Sequence, residues 1–300
     1  MLLDKRVDGK TILTGLVGNP VEHTVSPVLH NSLFSGLGIN GIYLPLKVPE
    51  KALGDALKGL KALSFKGFNV TIPYKEAVLP YLDEASVEVR LLGTANTVKV
   101  DGDKLYGYNT DGGGFLRSFY EETKTRFAKK HVCILGAGGT ARTLAIKIAM
   151  ENAGRISIIN RTAEKAEKIA NCVNEAVRGA GRGGEIASAA EHGSAESYEM
   201  LASSDVIINA TSVGMYPNTG DSPLKDDFPF RKEQIVFDVI YNPPVTRLLA
   251  QASSRGCRTV NGAGMLFYQG LEAFETWMGM KVDDITAGKI FSEFLKYLRG

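Results

Sequence analysis

The spacing of hydrophobic and polar positions predicts alternating strands and helices over the first third of the chain. Residues 11–16 form a short apolar run of the kind found in buried strands, and residues 42–46 alternate in hydrophobicity as a strand does. Apolar residues recur at helical spacing over residues 53–63, and residues 65–70 form a third strand-like run. This part of the chain is therefore expected to be an α/β domain.

Two local signals sharpen this pattern. Ser26 followed by Pro27 predicts the start of a helix, with the serine as N-cap and the proline at the first helical position. Asp101 and Gly102 separate two short strand-like segments, and this dipeptide favours the tight turn of a β-hairpin.

The pattern changes after Asp111 to a regular succession of strands and helices. Strands are predicted at 131–135, 156–160, 205–209, 235–239 and 258–260, with helices after the first two and at 265–277 and 285–298. Such a succession is typical of a parallel, doubly wound sheet. We therefore predict an α/β domain over 1–111, a Rossmann-type domain over 112–265, and C-terminal helices over 266–300. Two sheets side by side are expected to leave a cleft between them.

Composition and charge exclude several classes of protein. The 300 residues are 44% hydrophobic and 23% charged, as in ordinary globular proteins, and the net charge of +2 is too small to favour nucleic acid or a membrane surface as partner. No apolar run approaches the ~20 residues of a membrane span, and the charges at residues 4–6 stand where a signal peptide would need apolar residues. Cys133, Cys172 and Cys257 are widely spaced, which favours a cytoplasmic location, and no metal-ligand spacing is present.

A glycine-rich turn connects the first strand and helix of the second domain. Gly136, Gly138 and Ala141 follow the spacing of a dinucleotide-binding turn, between a strand and a helix as that motif requires. The glycines permit a tight turn and close approach of a pyrophosphate, while the alanine keeps the helix near the sheet. The alternative interpretation is an ordinary glycine-rich turn.

The end of the next strand distinguishes between the two nicotinamide coenzymes. An NAD site usually has an acidic residue there, ~20 residues beyond the turn. This chain has Asn160, Arg161 and Thr162, with Lys165 one turn into the helix. Cations at a helix N-terminus oppose the helix dipole, so the cluster suits a 2′-phosphate and predicts NADP. A solvated Arg and Lys remain the alternative.

Seven segments of the chain resemble motifs of the shikimate dehydrogenase family, in the order in which that family has them. They are GNPVEHTVSP at 18–27, NVTIPYK at 69–75, ANT at 95–97, GYNTDGGG at 107–114, NATSVGM at 209–215, DVIY at 238–241 and GAGML at 262–266. The glycine-rich turn and residues 160–162 match as well, so the resemblance covers nearly the whole chain.

The resemblance implies a two-domain NADP-dependent oxidoreductase that interconverts 3-dehydroshikimate and shikimate in the route to chorismate and the aromatic amino acids. It implies catalysis by Lys75 and Asp111, the lysine acting on the proton of the reacting oxygen. Substrate contacts are implied at Thr24, Ser26, Asn69, Thr71, Asn96, Tyr241 and Gln269. Coenzyme contacts are implied at Gly136, Gly138, Gly139, Ala141, Asn160, Arg161, Thr162, Lys165, Thr211, Met215, Ile240 and Gly262.

Several alternatives stay open at this point. Lys75 could be the acid/base group or mainly an electrostatic stabiliser of the alkoxide, and any Lys–Asp pair could be structural. Thr24 stands where the family usually has serine, so a quinate or dual quinate/shikimate dehydrogenase is the nearest rival. A ligand-sensing homologue without turnover is a rival of a different class. The expected partner is a small-molecule substrate, and both a monomer and a homodimer fit the sequence.

Overall fold

The computed structural model of the chain describes residues 7–299. The chain divides into two compact units, one of Met1–Gly114 with Phe267–Gly300 and the other of Phe115–Leu266. Residues 1–6, whose charges led us to expect no signal peptide, lie outside the described residues.

The first unit contains a six-stranded sheet in the order β2-β1-β3-β5-β6-β4. Its strands are β1 (Ile12–Gly18), β2 (Gly41–Lys47), β3 (Gly67–Val70), β4 (Glu84–Ala85), β5 (Thr97–Asp101) and β6 (Lys104–Tyr108). Strands β1, β2 and β3 are parallel, whereas β5 is antiparallel to both β3 and β6. The predicted hairpin at Asp101-Gly102 is confirmed, since it joins β5 to β6 and Gly102 has a φ of +61°.

Helices surround this sheet and complete the first unit. They are α1 (Ser26–Gly36), α2 (Leu53–Ala62), α3 (Tyr74–Ala77), α4 (Val87–Leu92), the start of α5 (Asp111–Thr123), and most of α10 (Ala263–Met278) with α11 (Asp284–Arg299); short 3-10 turns lie at Glu50–Ala52 and Leu79–Tyr81. Trp277 of α10 is fully buried and donates its indole N–H to Val98 O at 3.0 Å. The C-terminal helices thereby belong to the core of this unit.

The predicted N-cap at Ser26 is wrong. Helix α1 begins at Ser26 itself, and the cap position is Val25, whose backbone is already turned into the helical region at φ −97° and ψ −2°. Thr24 Oγ1 accepts the Ser26 N–H at 3.3 Å, two residues away, so the threonine satisfies the backbone group. The Ser26 hydroxyl is consequently not used as a cap.

The second unit contains six parallel strands in the order β12-β11-β10-β7-β8-β9, which confirms the predicted doubly wound sheet. The strands are β7 (His131–Leu135), β8 (Arg155–Asn160), β9 (Ala187–Glu191), β10 (Val206–Asn209), β11 (Ile235–Asp238) and β12 (Arg258–Val260). Its helices are α6 (Gly139–Met150), α7 (Ala163–Gly179), α8 (Ala195–Ser203) and α9 (Arg247–Ser254), with the body of α5.

The central strands of the second sheet are rich in Val, Ile, Leu and Phe and are buried on both faces, as in parallel sheets covered by helices. Phe115 and Phe119 of α5 pack against Phe127 and Phe237, with ring centroids 4.4–6.3 Å apart. Among residues 7–299, no helix is both long and apolar enough to cross a bilayer.

Candidate active site

One edge of the first sheet collects the predicted substrate residues. The carboxyl ends of the parallel strands β1 and β3 share this edge, and the antiparallel strand β5 begins there because Thr97 pairs with Asn69. Strand β6 ends at the same edge, since Tyr108 pairs with Thr97. Residues far apart in sequence therefore meet at one place.

Lys75 and Asp111 form a direct ion pair at this edge. Lys75 Nζ lies 2.5 Å from Asp111 Oδ2, and the two side chains are 32% and 16% exposed. The backbone of Lys75 is held by the Ala95 N–H, which donates to Lys75 O at 2.9 Å. Asp111 begins α5, where a carboxylate is favoured by the helix dipole. An ammonium has three protons, and the other two of Lys75 make no hydrogen bond to a described residue, so they remain for a substrate oxygen.

Asn96 organises the residues around this pair. Its Nδ2 donates to Asp111 Oδ1 at 2.8 Å and lies 3.0 Å from Thr110 Oγ1. Its Oδ1 accepts the Thr110 N–H at 2.8 Å, which determines the orientation of the amide. A weaker contact of 3.4 Å reaches Gln269 Oε1. Asn96 thereby orients Asp111.

Asn69 lies beneath Asn96 in the same network. Its two amide protons go to Asn96 O at 3.1 Å and Thr97 Oγ1 at 3.0 Å, and its Oδ1 accepts the Tyr43 hydroxyl at 2.8 Å. The Tyr43 ring stacks on His30 with centroids 4.2 Å apart. His30 is fully buried, burial lowers its pKa to about 3, and neither ring nitrogen has a partner among the described residues. Asn69, Tyr43 and His30 thus form a buried layer that supports Asn96 through the hydrogen bond from Asn69.

The other predicted substrate residues of this unit offer hydroxyl and amide groups at the same edge. Thr24 and Ser26 follow β1, Thr71 follows β3, and Gln269 lies on α10. The Thr24 hydroxyl accepts from Ser26 N and still has its own proton to donate. Gln269 approaches because Gly114 has no side chain: a Cβ at Gly114 would lie 2.4 Å from the Gln269 backbone nitrogen.

The glycine-rich turn of the second unit has the backbone that a dinucleotide requires. Gly136 has a φ of +107°, and a Cβ there would lie 2.9 Å from Thr211 Cγ2 and 3.0 Å from Ala210 O, so only glycine fits. Gly138 and Gly139, in contrast, face open space. Helix α6 begins at Gly139, and its first N–H groups precede the first intrahelical bond. Buried Ala141 keeps α6 against the sheet.

A pocket of about 470 Å³ extends from this turn to the end of β8, and its lining includes Asn160, Arg161, Thr162 and Lys165. The side chains of Arg161 and Lys165 are exposed and make no ion pair or hydrogen bond with a described residue. Asn160 Nδ2 holds the turn by donating to Thr162 O at 3.0 Å, and the Thr162 hydroxyl makes no capping bond. Two free cations, a free hydroxyl and no carboxylate at the strand end fit a phosphate.

Two residues that the sequence analysis did not assign hold the loops on the other side of the turn. Asp238, buried at the end of β11, accepts from Asn209 Nδ2 at 3.0 Å, from Ile240 N at 3.1 Å and from Thr246 Oγ1 at 2.7 Å. Asn209 Oδ1 in turn accepts the Thr211 hydroxyl at 2.7 Å. Burial raises the pKa of the Asp238 carboxyl. Both residues lie within motifs, but only their buried contacts show what they do.

The remaining predicted residues are placed by these loops. Thr211 and Met215 follow β10, Ile240 and Tyr241 follow β11, and Gly262 follows β12. Because all six strands are parallel, these positions share the edge that carries the glycine-rich turn. Tyr241, predicted to contact the substrate, is thus a residue of the second unit, and burial raises its pKa.

Both units contain segments that match models of known protein families. Residues 16–98 match the model of the shikimate dehydrogenase substrate binding domain, residues 119–239 match that of shikimate / quinate 5-dehydrogenase, and residues 262–284 match the shikimate 5'-dehydrogenase C-terminal domain. These segments include most of the residues described above.

Relatives match over nearly their whole length. The shikimate dehydrogenase (NADP(+)) of Methanopyrus kandleri is 43% identical over 93% of this chain and 94% of its own. A shikimate dehydrogenase solved in complex with NADP+ has a TM-score of 0.88 at 37% identity, covering 98% of this chain and 99% of that one. The Listeria monocytogenes shikimate 5-dehydrogenase, solved with shikimate and NAD, has a TM-score of 0.87 at 36% identity, covering 96% and 99%. The chain belongs to the shikimate dehydrogenase family.

Proposed function

We propose that this protein catalyses the reversible, NADP-dependent reduction of 3-dehydroshikimate to shikimate. The observation that carries the proposal is the Lys75–Asp111 pair, at 2.5 Å, with two lysine protons left for a substrate oxygen. A sensing homologue without turnover would not need this pair. Membership of the family supplies the substrate class, which the side chains alone do not identify.

In the proposed reaction, bound NADPH supplies a hydride to the ring carbonyl carbon. The carbonyl oxygen gains negative charge and takes a proton from the Lys75 ammonium, which gives the alcohol. Asp111 orients the ammonium and, through Asn96, is itself held in place. In the oxidation direction Lys75 takes the hydroxyl proton back. An ammonium beside the oxygen also stabilises the developing charge before the proton moves, so both roles of Lys75 belong to one group.

The second unit has features that suit a dinucleotide coenzyme at the start of α6 and at the end of β8. Open space above Gly138 and Gly139 leaves room for a pyrophosphate at the start of α6, where unpaired N–H groups and the helix dipole favour an anion. Arg161, Lys165 and the Thr162 hydroxyl would hold the 2′-phosphate that distinguishes NADP from NAD. Asn160 at the end of β8 carries no charge to repel it.

The substrate carboxylate is proposed to bind the hydroxyls of Thr24 and Ser26. Asn69, Thr71, Asn96 and Gln269 would bind ring hydroxyls, and Asn69 also supports Asn96 by donating to its backbone carbonyl. Tyr241 is proposed to contribute from the second unit. The three cysteines are free thiols, which suits the reducing cytoplasm where we propose the enzyme works.

A single assay tests this proposal. The absorbance of reduced nicotinamide is followed with shikimate or quinate as substrate and NADP or NAD as coenzyme, in all four combinations. We expect the highest kcat/KM with shikimate and NADP. Absence of turnover in every combination would refute the enzyme and favour a binding protein.

Quinate is the second candidate substrate, because Thr24 stands where the family usually has serine. Quinate has an additional hydroxyl on the ring carbon that carries the carboxylate. Threonine adds a methyl group beside a hydroxyl whose oxygen already accepts the Ser26 N–H at 3.3 Å. A higher kcat/KM with quinate than with shikimate would assign the chain to this second activity.

A further inference from the structure

His192 is a polar residue of the coenzyme pocket to which no role has been assigned. It directly follows β9, and it lines the 470 Å³ pocket together with Arg161, Thr162 and Lys165. It also lines a neighbouring pocket of about 360 Å³, which shares Ser222 and Pro223 with the first. Its backbone N–H donates to Asn160 O at 2.9 Å, so it is tied to the end of β8.

One hydrogen bond determines the tautomer of the His192 ring. Its Nε2 lies 2.7 Å from the Pro223 carbonyl oxygen, which can only accept. Nε2 must therefore carry the proton. In the neutral ring this leaves a lone pair on Nδ1, and Nδ1 has no partner among the described residues. His192 thus presents one hydrogen-bond acceptor of known identity.

The order of the strands places this acceptor at one end of the coenzyme site. The pyrophosphate is expected at the end of β7 and the adenosine ribose at the end of β8, so β9 is the next strand outward in the same direction. The loops that follow β10, β11 and β12 lie on the opposite side of β7. His192 is therefore beside the adenosine half.

Charge decides which group of the adenosine it can bind. Arg161 and Lys165 line the same pocket and already supply positive charge for the 2′-phosphate. An uncharged Nδ1 lone pair repels the 2′-phosphate oxygens, which are acceptors themselves. The adenine base, in contrast, carries an exocyclic amino group that is a donor and needs an acceptor.

We propose that His192 recognises the adenine base of the coenzyme by accepting a hydrogen bond from its amino group at Nδ1. This inference rests on the proposed coenzyme site, and it adds a specificity determinant for the base to those for the 2′-phosphate. The Pro223 carbonyl acts as the positioning group, because it holds the ring in the tautomer that can accept.

The test uses reduced NADP and its deaminated counterpart, in which hypoxanthine replaces adenine and an acceptor oxygen replaces the amino group. Dissociation constants are measured by the fluorescence of the reduced coenzyme, with no substrate present. The wild type should bind NADPH more tightly by roughly two- to tenfold, the value of one neutral hydrogen bond. Equal affinity for the two coenzymes would overturn the inference.

Two conservative variants separate base recognition from a structural role. In His192→Asn the side-chain oxygen can occupy the position of Nδ1, whereas in His192→Gln the amide nitrogen can occupy that of Nε2 and keep the bond to Pro223. We expect His192→Asn to retain the preference for adenine and His192→Gln to lose it. If His192→Gln retains the preference, or His192→Asn weakens both coenzymes equally, His192 only anchors the loop at Pro223.

The outcomes also distinguish this inference from the proposed function. A protein that binds both coenzymes with the expected preference but does not reduce 3-dehydroshikimate supports the role of His192 and refutes the activity. A protein that binds neither coenzyme refutes both.

Discussion

The proposed substrate residues of the first unit and the proposed coenzyme residues of the second unit are arranged in opposite ways. In the first unit, Lys75, Asp111, Asn96 and Asn69 form a continuous hydrogen-bonded network whose buried polar atoms are almost all paired with one another. In the second unit, the side chains of Arg161, just before α7, and Lys165, in its first turn, have no partner among the described residues. The side chains of the first unit are held in place by their own hydrogen bonds, whereas the two cationic side chains of the second unit are available to bind an anion.

This difference follows from what each half must do. Proton transfer requires a donor held within hydrogen-bond reach, so its orientation must be established beforehand by neighbouring groups. Binding a phosphate requires charge more than geometry, and an exposed cation supplies it while losing little on release. Changes in the network should therefore affect kcat, and changes in the pocket should affect coenzyme affinity alone.

The largest effect is expected from removing the lysine of the network. Lys75→Ala should lower kcat by about 10²–10⁴-fold, the usual value of a positioned proton donor, while KM for shikimate changes far less. Steady-state kinetics with saturating NADP measure this. Lys296→Ala, which removes a surface ion pair of 2.7 Å with Glu293, is the matched control and should leave kcat unchanged. A near-normal kcat in Lys75→Ala would make the pair structural.

A smaller and selective effect is expected in the open pocket. Arg161→Ala should raise KM for NADP by roughly 10- to 150-fold, the value of a charge-assisted hydrogen bond of about 1.5–3 kcal/mol, and should barely change KM for NAD. The wild-type preference for NADP should weaken as salt rises, because the cations are exposed.

Lys168 is an exposed residue of α7 outside the pocket lining, so Lys168→Ala is the control for the loss of a positive charge by itself. Lys168→Ala should leave both Michaelis constants unchanged. If Arg161→Ala loses activity equally with both coenzymes, or if the wild type prefers NAD, Arg161 does not bind a 2′-phosphate.

A more modest change is expected at Thr24, which we propose binds the substrate carboxylate. Thr24→Ser removes one methyl group and keeps the hydroxyl that accepts the Ser26 N–H. A contact of this size contributes ~1–3 kcal/mol at most, so the ratio of kcat/KM for shikimate to that for quinate should change by a modest factor. NADP affinity should stay the same. An unchanged ratio would remove Thr24 as a specificity determinant.

The last prediction concerns stability instead of activity, and it applies to the buried layer of Asn69, Tyr43 and His30. Burial lowers the pKa of His30 to about 3 in the folded protein, against ~6.5 when unfolded. Between these two pH values the His30 ring is protonated in the unfolded chain but not in the folded protein. The contribution of His30 to the free energy of unfolding is therefore fully present above pH ~6.5 and is lost as the pH falls toward ~3, by at most ~1.4 kcal/mol per pH unit. Denaturation at several pH values, followed by the fluorescence of the lone tryptophan, Trp277, reports on this unit.

A variant without the titrating ring should show a flatter profile. His30→Phe removes the proton site and retains an aromatic ring beside Tyr43. His23→Gln, a change at an exposed histidine, should keep the wild-type slope. If His30→Phe keeps the wild-type slope as well, other groups cause the loss of stability in acid.

Local signals in the sequence predicted most elements of both sheets. The hairpin at Asp101-Gly102, the strand and helix around Gly136, and the parallel second sheet are all present. Strand β9 was not predicted, because Ala187–Glu191 is made of alanine and serine and has no strong apolar alternation. The N-cap at Ser26 was wrong because two neighbouring hydroxyls could serve one N–H, and the sequence does not show which one does.

The sequence by itself determined the two-domain α/β architecture, the glycine-rich turn and the absence of an acidic residue at the end of β8. Each depends on residues within a few positions of one another, so short-range patterns suffice. Only the tertiary structure decided that Asn96 holds Asp111 and approaches Gln269, 173 residues away, or that Asp238 binds Asn209, 29 residues away. It also decided that Nε2 of His192 carries the proton. Hydrogen bonds between distant segments depend on strand order and burial, which no local pattern encodes.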